Sequence, residues 1–226
     1  MPNPPKTTIS AVLFDMDGLM FDTERLILCA WQQAMADFGY EASEEVFLAS
    51  VGTTVESTNQ FLRAAYGPDF PLEVTNDRTG DYVWREVDAH GAPLKPGLLA
   101  LLDYLEAHDI PKAVASSSRR VSIDRLLASV GLTERFAATA AGDEVTHGKP
   151  APDIFLLAAQ RLGVEPAQCL VLEDSEPGMR AARAAGMAVI VVPDLKPPSD
   201  QVAVLAAAVL PDLHAVQAWL TQRSFA

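Results

Sequence analysis

The stretch "ISAVLFDMDGLMFDTE", residues 9–24, sets a buried strand against an abrupt acidic stop. Residues 9–14 are short, apolar and β-branched enough for a strand covered on both faces. The run ends at Asp15, Met16, Asp17 and Gly18, placing two acids where a core strand has no use for charge. Three similar runs follow: "PKAVAS" near residues 110–116, "CLVLED" at 169–174 and "MAVIVV" at 187–192. Helical patterns separate them, "LLALLDYLEAH" at 98–108, "VSIDRLLASVG" at 121–131, "PDIFLLAAQRLG" at 152–163 and "PGMRAARAAG" at 177–186. Gly163 and Gly186 suit helix ends, and Pro177 suits a first turn. Alternating strand and helix predict an α/β fold, a Rossmann-like doubly wound parallel sheet with helices on both faces.

One region breaks the alternation. Residues 20–92 hold helical stretches and no convincing strand, so they read as an inserted helical domain. Thr53, Thr54, Val55 and Glu56 form a capping-box pattern ahead of "STNQFLRAAYGP", where Gly67 and Pro68 supply the stop. The chain returns through "APLKPG", residues 92–97, a Pro- and Gly-marked connection suited to a hinge. The expected division is an α/β core of residues 1–19 and 93–226 and a helical insert of residues 20–92.

Composition bounds the partners. The chain has 226 residues, 49% of them hydrophobic, enough for a main domain and a smaller one. Lys and Arg number 17 against 30 Asp and Glu, a formal net charge of −13, so a nucleic-acid backbone would be repelled. A small anionic substrate is compatible with that charge, because local donors or a bound cation reverse the potential inside one cleft. Cys29 and Cys169 lie among apolar neighbours without metal-ligand spacing and are expected to be buried thiols. The first ten residues lack the apolar centre of a signal peptide, and later apolar runs are too interrupted to span a bilayer. A cytoplasmic monomer without membrane attachment is therefore expected.

Ligands of parallel α/β sheets bind beyond the carboxyl ends of the strands. The first strand ends in Asp15, Met16, Asp17 and Gly18, the second in Ser116, Ser117 and Ser118, and a later one in Glu173, Asp174 and Ser175. Lys149 stands in "HGKPAPDIF" just ahead of a helix. Taken singly, each cluster is an ordinary cap or turn. Together, four carboxylates at one sheet edge repel one another unless a cation is present. Mg²⁺ fits them, since it prefers oxygen ligands and takes one or two carboxylates plus a substrate phosphate. A phosphate group then accounts for the Ser116 hydroxyl and for Lys149.

The segments "FDMDG", "ASSS", "GKPAPDIF" and "EDSEPGMRAARAAGM" closely resemble the four motifs of the haloacid dehalogenase superfamily, in its phosphoglucomutase-like branch with a helical cap inserted after the first motif. The resemblance runs from Val12 to about Pro193. It implies that Asp15 is a nucleophile forming an aspartyl-phosphate and that Asp17 is the general acid and base. Ser116, Ser117 and Lys149 would hold the phosphoryl group beside Gly18. The metal would be held by Asp15, by the backbone carbonyl of Asp17 and by Asp174, with Glu173 either a ligand or orienting one.

A dehalogenase runs on one Asp without metal, so Asp17 and the Glu173–Asp174 pair argue against that activity. The mutase branch carries a cap His where this chain has Ile27, and a cap Arg that "VGTTVES" lacks. The expectation is therefore a phosphatase acting on a small phosphorylated metabolite, a sugar phosphate or a nucleoside- or nucleotide-like phosphate. A β-phosphoglucomutase-type mutase is the alternative. Arg25, Arg63, Arg78 and Arg85 read as solvated helix residues that could still reach a substrate. Gly52 and Thr53 are candidates for substrate selection, with a plain helix cap the equal reading of Thr53. His147 lies beside the presumed site without an evident partner in sequence. No Gly-x-Ser-x-Gly pattern surrounds Ser116, which excludes a nucleophile elbow. A phospho-Asp receiver module, the reading from another class, is opposed by chain length, by the helical insert and by the strand order of its acids.

Overall fold

In the computed structural model, which describes residues 9–50 and 55–222, the opening stretch forms the central strand β1, Ala11–Phe14, buried along its whole length. β1 is followed by helices α1 (Thr23–Asp37), α2 (Glu44–Ser50), α3 (Val55–Tyr66), α4 (Leu72–His90) and α5 (Leu98–Ala107). Then come β2 (Lys112–Ser116), α6 (Arg120–Ser129), β3 (Ala138–Ala141), α7 (Asp153–Leu162) and β4 (Cys169–Glu173). The chain closes through α8 (Glu176–Ala184), β5 (Ala188–Val191), α9 (Asp200–Ala203), β6 (Ala208–Val209) and α10 (Leu213–Leu220).

The sheet order is β3-β2-β1-β4-β5-β6, every pairing parallel. Strand order reverses at β1, with Leu13 registered to Ala113 on one side and to Val171 on the other. That reversal opens a crevice at the carboxyl ends of β1, β2 and β4. Alternation along β1 sends Ala11 and Leu13 into a core shared with Ile154, Phe155, Met179 and Val189, beneath α7 and α8. Phe14 points the other way and meets the edge of Phe136 at 5.7 Å between centroids.

The chain divides into two compact units, one of residues up to Asp22 and from Leu94 onward, the other Thr23–Pro93. The second unit has its own core. Trp31, Met35, Phe47, Leu62, Phe70 and Leu72 are buried together, with Tyr40 and Phe70 edge to face at 5.0 Å and Tyr66 against Phe70 at 5.2 Å. Ile27 packs on this cluster. Within the same unit Arg78 lies 3.4 Å from Asp37 and Arg85 stacks 4.5 Å over Tyr82.

Two strands, β3 and β6, and two helices, α9 and α10, are elements that the sequence pattern does not predict. β3 is "ATAA", whose alanines carry no strand preference of their own, and β6 has two residues at an edge. α10 was signalled by Asp212, whose side chain accepts the Ala215 N–H at 2.8 Å. Cys169 is buried as expected, whereas Cys29 is exposed on α1, a correction that follows from its place on the polar side of an amphipathic helix. Gly52, Thr53 and the Thr53–Thr54 start of the capping box lie outside the described residues. Among the described residues no helix is long and apolar enough to cross a membrane.

Thr75 is 1% exposed on α4, and its hydroxyl has no hydrogen-bond partner among the described residues. Thr75→Val, which keeps the shape and removes that unpaired group, is expected to stabilise the protein by about 1 kcal/mol. Chemical denaturation reads this as a higher midpoint at unchanged slope; an unchanged or lower midpoint contradicts it.

Candidate active site

β1 stops because its last main-chain bond, Asp15 N–H to Leu172 O at 3.0 Å, is followed by a tight loop. Met16 O accepts from Met20 N–H at 2.9 Å and from Phe21 N–H at 3.1 Å, and Gly18 N–H donates to Phe21 O at 2.9 Å. Gly18 has φ +81°, and a Cβ there would collide with the Asp174 carboxylate. Only glycine combines that left-handed turn with so close an approach. The loop leaves Asp15 6% exposed at the crevice floor.

The Lys149 side chain, 7% exposed, ties the floor together. Its ammonium donates to Asp15 Oδ1, to Glu173 Oε1 at 2.6 Å and to the Ala115 carbonyl at 3.3 Å. All three ammonium donors are thus engaged with β1, β4 and β2. The nitrogen also lies 4.9 Å above the Phe155 ring. Burial disfavours the ammonium, but Asp15 and Glu173 outweigh it and raise its pKa above the ordinary lysine value.

Glu173 is fully buried and its carboxylate is committed to the protein. Besides Lys149 on Oε1, its Oε2 accepts from Asp174 N–H at 3.0 Å, Ser175 N–H at 2.9 Å and Ser175 Oγ at 2.8 Å. A Cβ on Gly178, in the first turn of α8, would overlap that carboxylate. Ser175 caps the same helix by accepting the Gly178 N–H at 3.3 Å. The β4 end, the α8 start and Glu173 therefore form one interlocked corner that presents Asp174.

Ser116, 1% exposed at the end of β2, accepts the Ser118 N–H at 3.0 Å and donates to Asp17 Oδ2 at 3.3 Å. Ser118 Oγ makes the shorter bond to the same oxygen, 2.8 Å. Ser118 thus joins the site, where only Ser116 and Ser117 of the serine triplet are expected from the sequence. Its signal was the same strand-end position that picked out Ser116. Ser117 is exposed on this loop. His147 is exposed, with Nδ1 3.1 Å from Asp153 Oδ2, so it has a partner six residues on that spacing alone did not disclose.

One oxygen from each of Asp15, Glu173 and Asp174 lies within 4.8 Å of the others. One ammonium faces three carboxylates, and the deficit raises the proton affinity of two of them, Asp15 and Asp174. Burial, joined by Glu173 and Asp17 and opposed by Lys149, pushes Asp15 up to about 8. Burial and the repulsion of Asp15 and Glu173 push Asp174 up to about 9. A hard divalent cation fits this donor set, since it would restore the ionised forms that burial disfavours. Asp15 and Asp174 offer oxygens for it, whereas Glu173 is occupied by protein donors.

The fold and this constellation define a hydrolase class. The family model of haloacid dehalogenase-like hydrolases matches residues 12–192, and the chain belongs to that family. β-Phosphoglucomutase-like members share the fold. The chain is 36% identical over 199 residues to the bifunctional riboflavin kinase/FMN phosphatase of Arabidopsis thaliana, covering 86% of this chain and 51% of that protein. It is 35% identical over 181 residues to the fructose-1-phosphate phosphatase YqaB of Escherichia coli, covering 79% and 93%. A solved hydrolase of the family from Deinococcus radiodurans, with bound phosphate and sodium, superposes with a TM-score of 0.80 at 29% identity, covering 97% and 100%.

Asp15 and Asp174 hold protons more tightly in the folded chain, so the stability they contribute is complete below about pH 4 and is lost as pH rises through about 8 and about 9. Without divalent cations the melting temperature is expected to fall across that window. Mg²⁺ is expected to raise it more at alkaline than at mildly acidic pH; an equal gain at both contradicts the assignment. Gly178→Ala, which drives a methyl group into Glu173, is expected to destabilise the chain by about 2 kcal/mol or more in a thermal melt. An unchanged melt would contradict the interlocked corner.

Proposed function

We propose that the protein is a Mg²⁺-dependent phosphatase that hydrolyses a small phosphorylated metabolite through phosphorylation of Asp15. The observation that carries this reading is the convergence of Asp15, Lys149, Glu173 and Asp174 at the point where strand order reverses. Its relatives named as phosphatases act on an organic phosphate monoester, and the same chemistry suits this site.

The Asp15 carboxylate attacks phosphorus as its leaving group departs, giving an acyl phosphate on Asp15. Asp17, oriented by Ser118 and Ser116, supplies the proton to the departing oxygen and then takes one from the water that attacks the acyl phosphate, breaking the bond from Asp15 to phosphorus and releasing inorganic phosphate and the free Asp15 carboxylate. Lys149 steadies Asp15 and faces the phosphoryl charge, the 3.3 Å contact to the Ala115 carbonyl being the weakest of its three and the readiest to be exchanged. Asp15, Asp174 and the Asp17 carbonyl would hold Mg²⁺, which supplies charge stabilisation to the phosphoryl oxygens. Glu173 positions Lys149 and Asp174 instead of binding the metal. Gly18 lets Asp174 approach the loop.

Plain hydrolysis is favoured over mutase chemistry by Ile27, which occupies the position expected for the mutase His and packs with the apolar core of its own unit. The Thr23–Pro93 unit is assigned as the cap that selects the substrate. Sugar phosphates and nucleoside- or nucleotide-like phosphates are the substrate classes to test.

Asp15→Asn is expected to lower kcat about a thousandfold or more while leaving the circular dichroism spectrum unchanged. Asp17→Ala is expected to lower it by about 10²- to 10⁴-fold. Both are measured on p-nitrophenyl phosphate with Mg²⁺ and on a panel of phosphorylated metabolites. Undiminished turnover by folded Asp15→Asn sinks the proposal.

A further inference from the structure

Glu144 stands outside the acidic floor, in the turn Gly142–Glu144 that follows β3. Three donors converge on its Oε2: Ala141 N–H at 2.9 Å, Arg120 Nη2 at 2.6 Å and Arg161 Nη1 at 2.7 Å. Both guanidinium groups also reach Thr139 on β3, Arg120 through a 3.0 Å bond to its carbonyl and Arg161 to the same oxygen. The Arg161 bond, then Arg120 and the Ala141 N–H, hold the Glu144 carboxyl down at about 2 against the opposing effect of burial. An isolated exposed ion pair contributes little. Here two planar cations and a main-chain donor meet on one oxygen, which fixes the turn's orientation as well as its charge.

The turn in turn holds the serine loop from behind. Gly142 N–H donates to Ser118 O at 2.9 Å, and a Cβ on Gly142 would strike the Ser117 carbonyl. Asp143 Oδ1 accepts the Arg120 N–H at 3.0 Å, fixing the loop where it enters α6. From the front, Ser118 Oγ holds Asp17 Oδ2 at 2.8 Å. Every link from Glu144 to Asp17 is a hydrogen bond or a close packing contact, and all of them lie within one compact unit.

We propose that Glu144 is a positioning residue for proton transfer: by locking the Gly142–Glu144 turn it sets the Ser116–Ser118 loop, and through Ser118 the direction of the Asp17 carboxylate. The inference rests on the phosphatase reading, in which Asp17 protonates the leaving oxygen. A structural role alone would cost every substrate equally. A role in aiming Asp17 costs most where the leaving group needs its proton, because an alkoxide is a far poorer leaving group than p-nitrophenolate.

The test compares kcat/KM for a hexose phosphate and for p-nitrophenyl phosphate, with Mg²⁺, in the wild type, Glu144→Ala and Glu144→Gln. Values are expressed per folded molecule. Glu144→Ala is expected to lose roughly 10- to 100-fold on the hexose phosphate and to stay within about threefold on the aryl ester. Glu144→Gln keeps an acceptor for the Ala141 N–H and is expected to fall between, so the comparison stands even when the alanine variant folds poorly. Equal losses on both esters, or none, overturn the positioning role and leave the phosphatase reading intact. A wild type that hydrolyses neither these esters nor any phosphate of the metabolite panel with Mg²⁺ overturns both.

Discussion

One ammonium is set among three buried or half-buried carboxylates at the carboxyl ends of the central strands. Lys149 reaches Asp15 on β1, Glu173 on β4 and the Ala115 carbonyl on β2, so a single charge ties the three strands that flank the order reversal. It does not neutralise them, and Asp15 and Asp174 are left with raised proton affinity. The charge balance of a floor built this way leaves room for a cation, whose arrival would favour the ionised carboxylates. A divalent cation would complete that balance, and the Glu173 carboxylate, already engaged by Lys149, by Ser175 and by two main-chain N–H groups, has the least acceptor capacity left to offer it.

The backbone around this floor is shaped by the same charges. Gly18 and Gly178 have no room for a Cβ because carboxylates occupy that space, Asp174 at the first and Glu173 at the second. Such positions carry functional information that a helix or strand pattern does not. Gly178 sits in the first turn of α8, where its lack of a side chain would ordinarily be a liability to the helix. Here it allows the helix to begin against a fully buried glutamate.

Much of this was legible in the sequence because its signals are local. A strand that stops at polar or charged residues, as β1 stops at Asp15, announces a ligand edge; three such stops, with Lys149 ahead of a helix, in an alternating pattern predict the parallel sheet and its face. What was not legible depended on contacts between distant segments. β3 could not be recognised from four residues of alanine and threonine, since its place comes from pairing beside β2. The commitment of Glu173 to Ser175 and Lys149 arises from contacts that only the folded chain makes. Ser118 needed the orientation of Asp17, and the chain of contacts from Glu144 to that serine needed the turn after β3. The exposure of Cys29 needed the packing of α1.

In the proposed mechanism Asp15 carries the phosphoryl group during turnover. This is tested most directly by mixing the enzyme with a good substrate and Mg²⁺, stopping the reaction with acid within the first turnover, and sequencing the peptides by mass spectrometry. One added phosphoryl group is expected on Asp15, present only with Mg²⁺ and accumulating to a higher level in Asp17→Ala. Turnover by the wild type with Asp15 unmodified throughout the first cycle, or with the phosphoryl group on another residue, would contradict it.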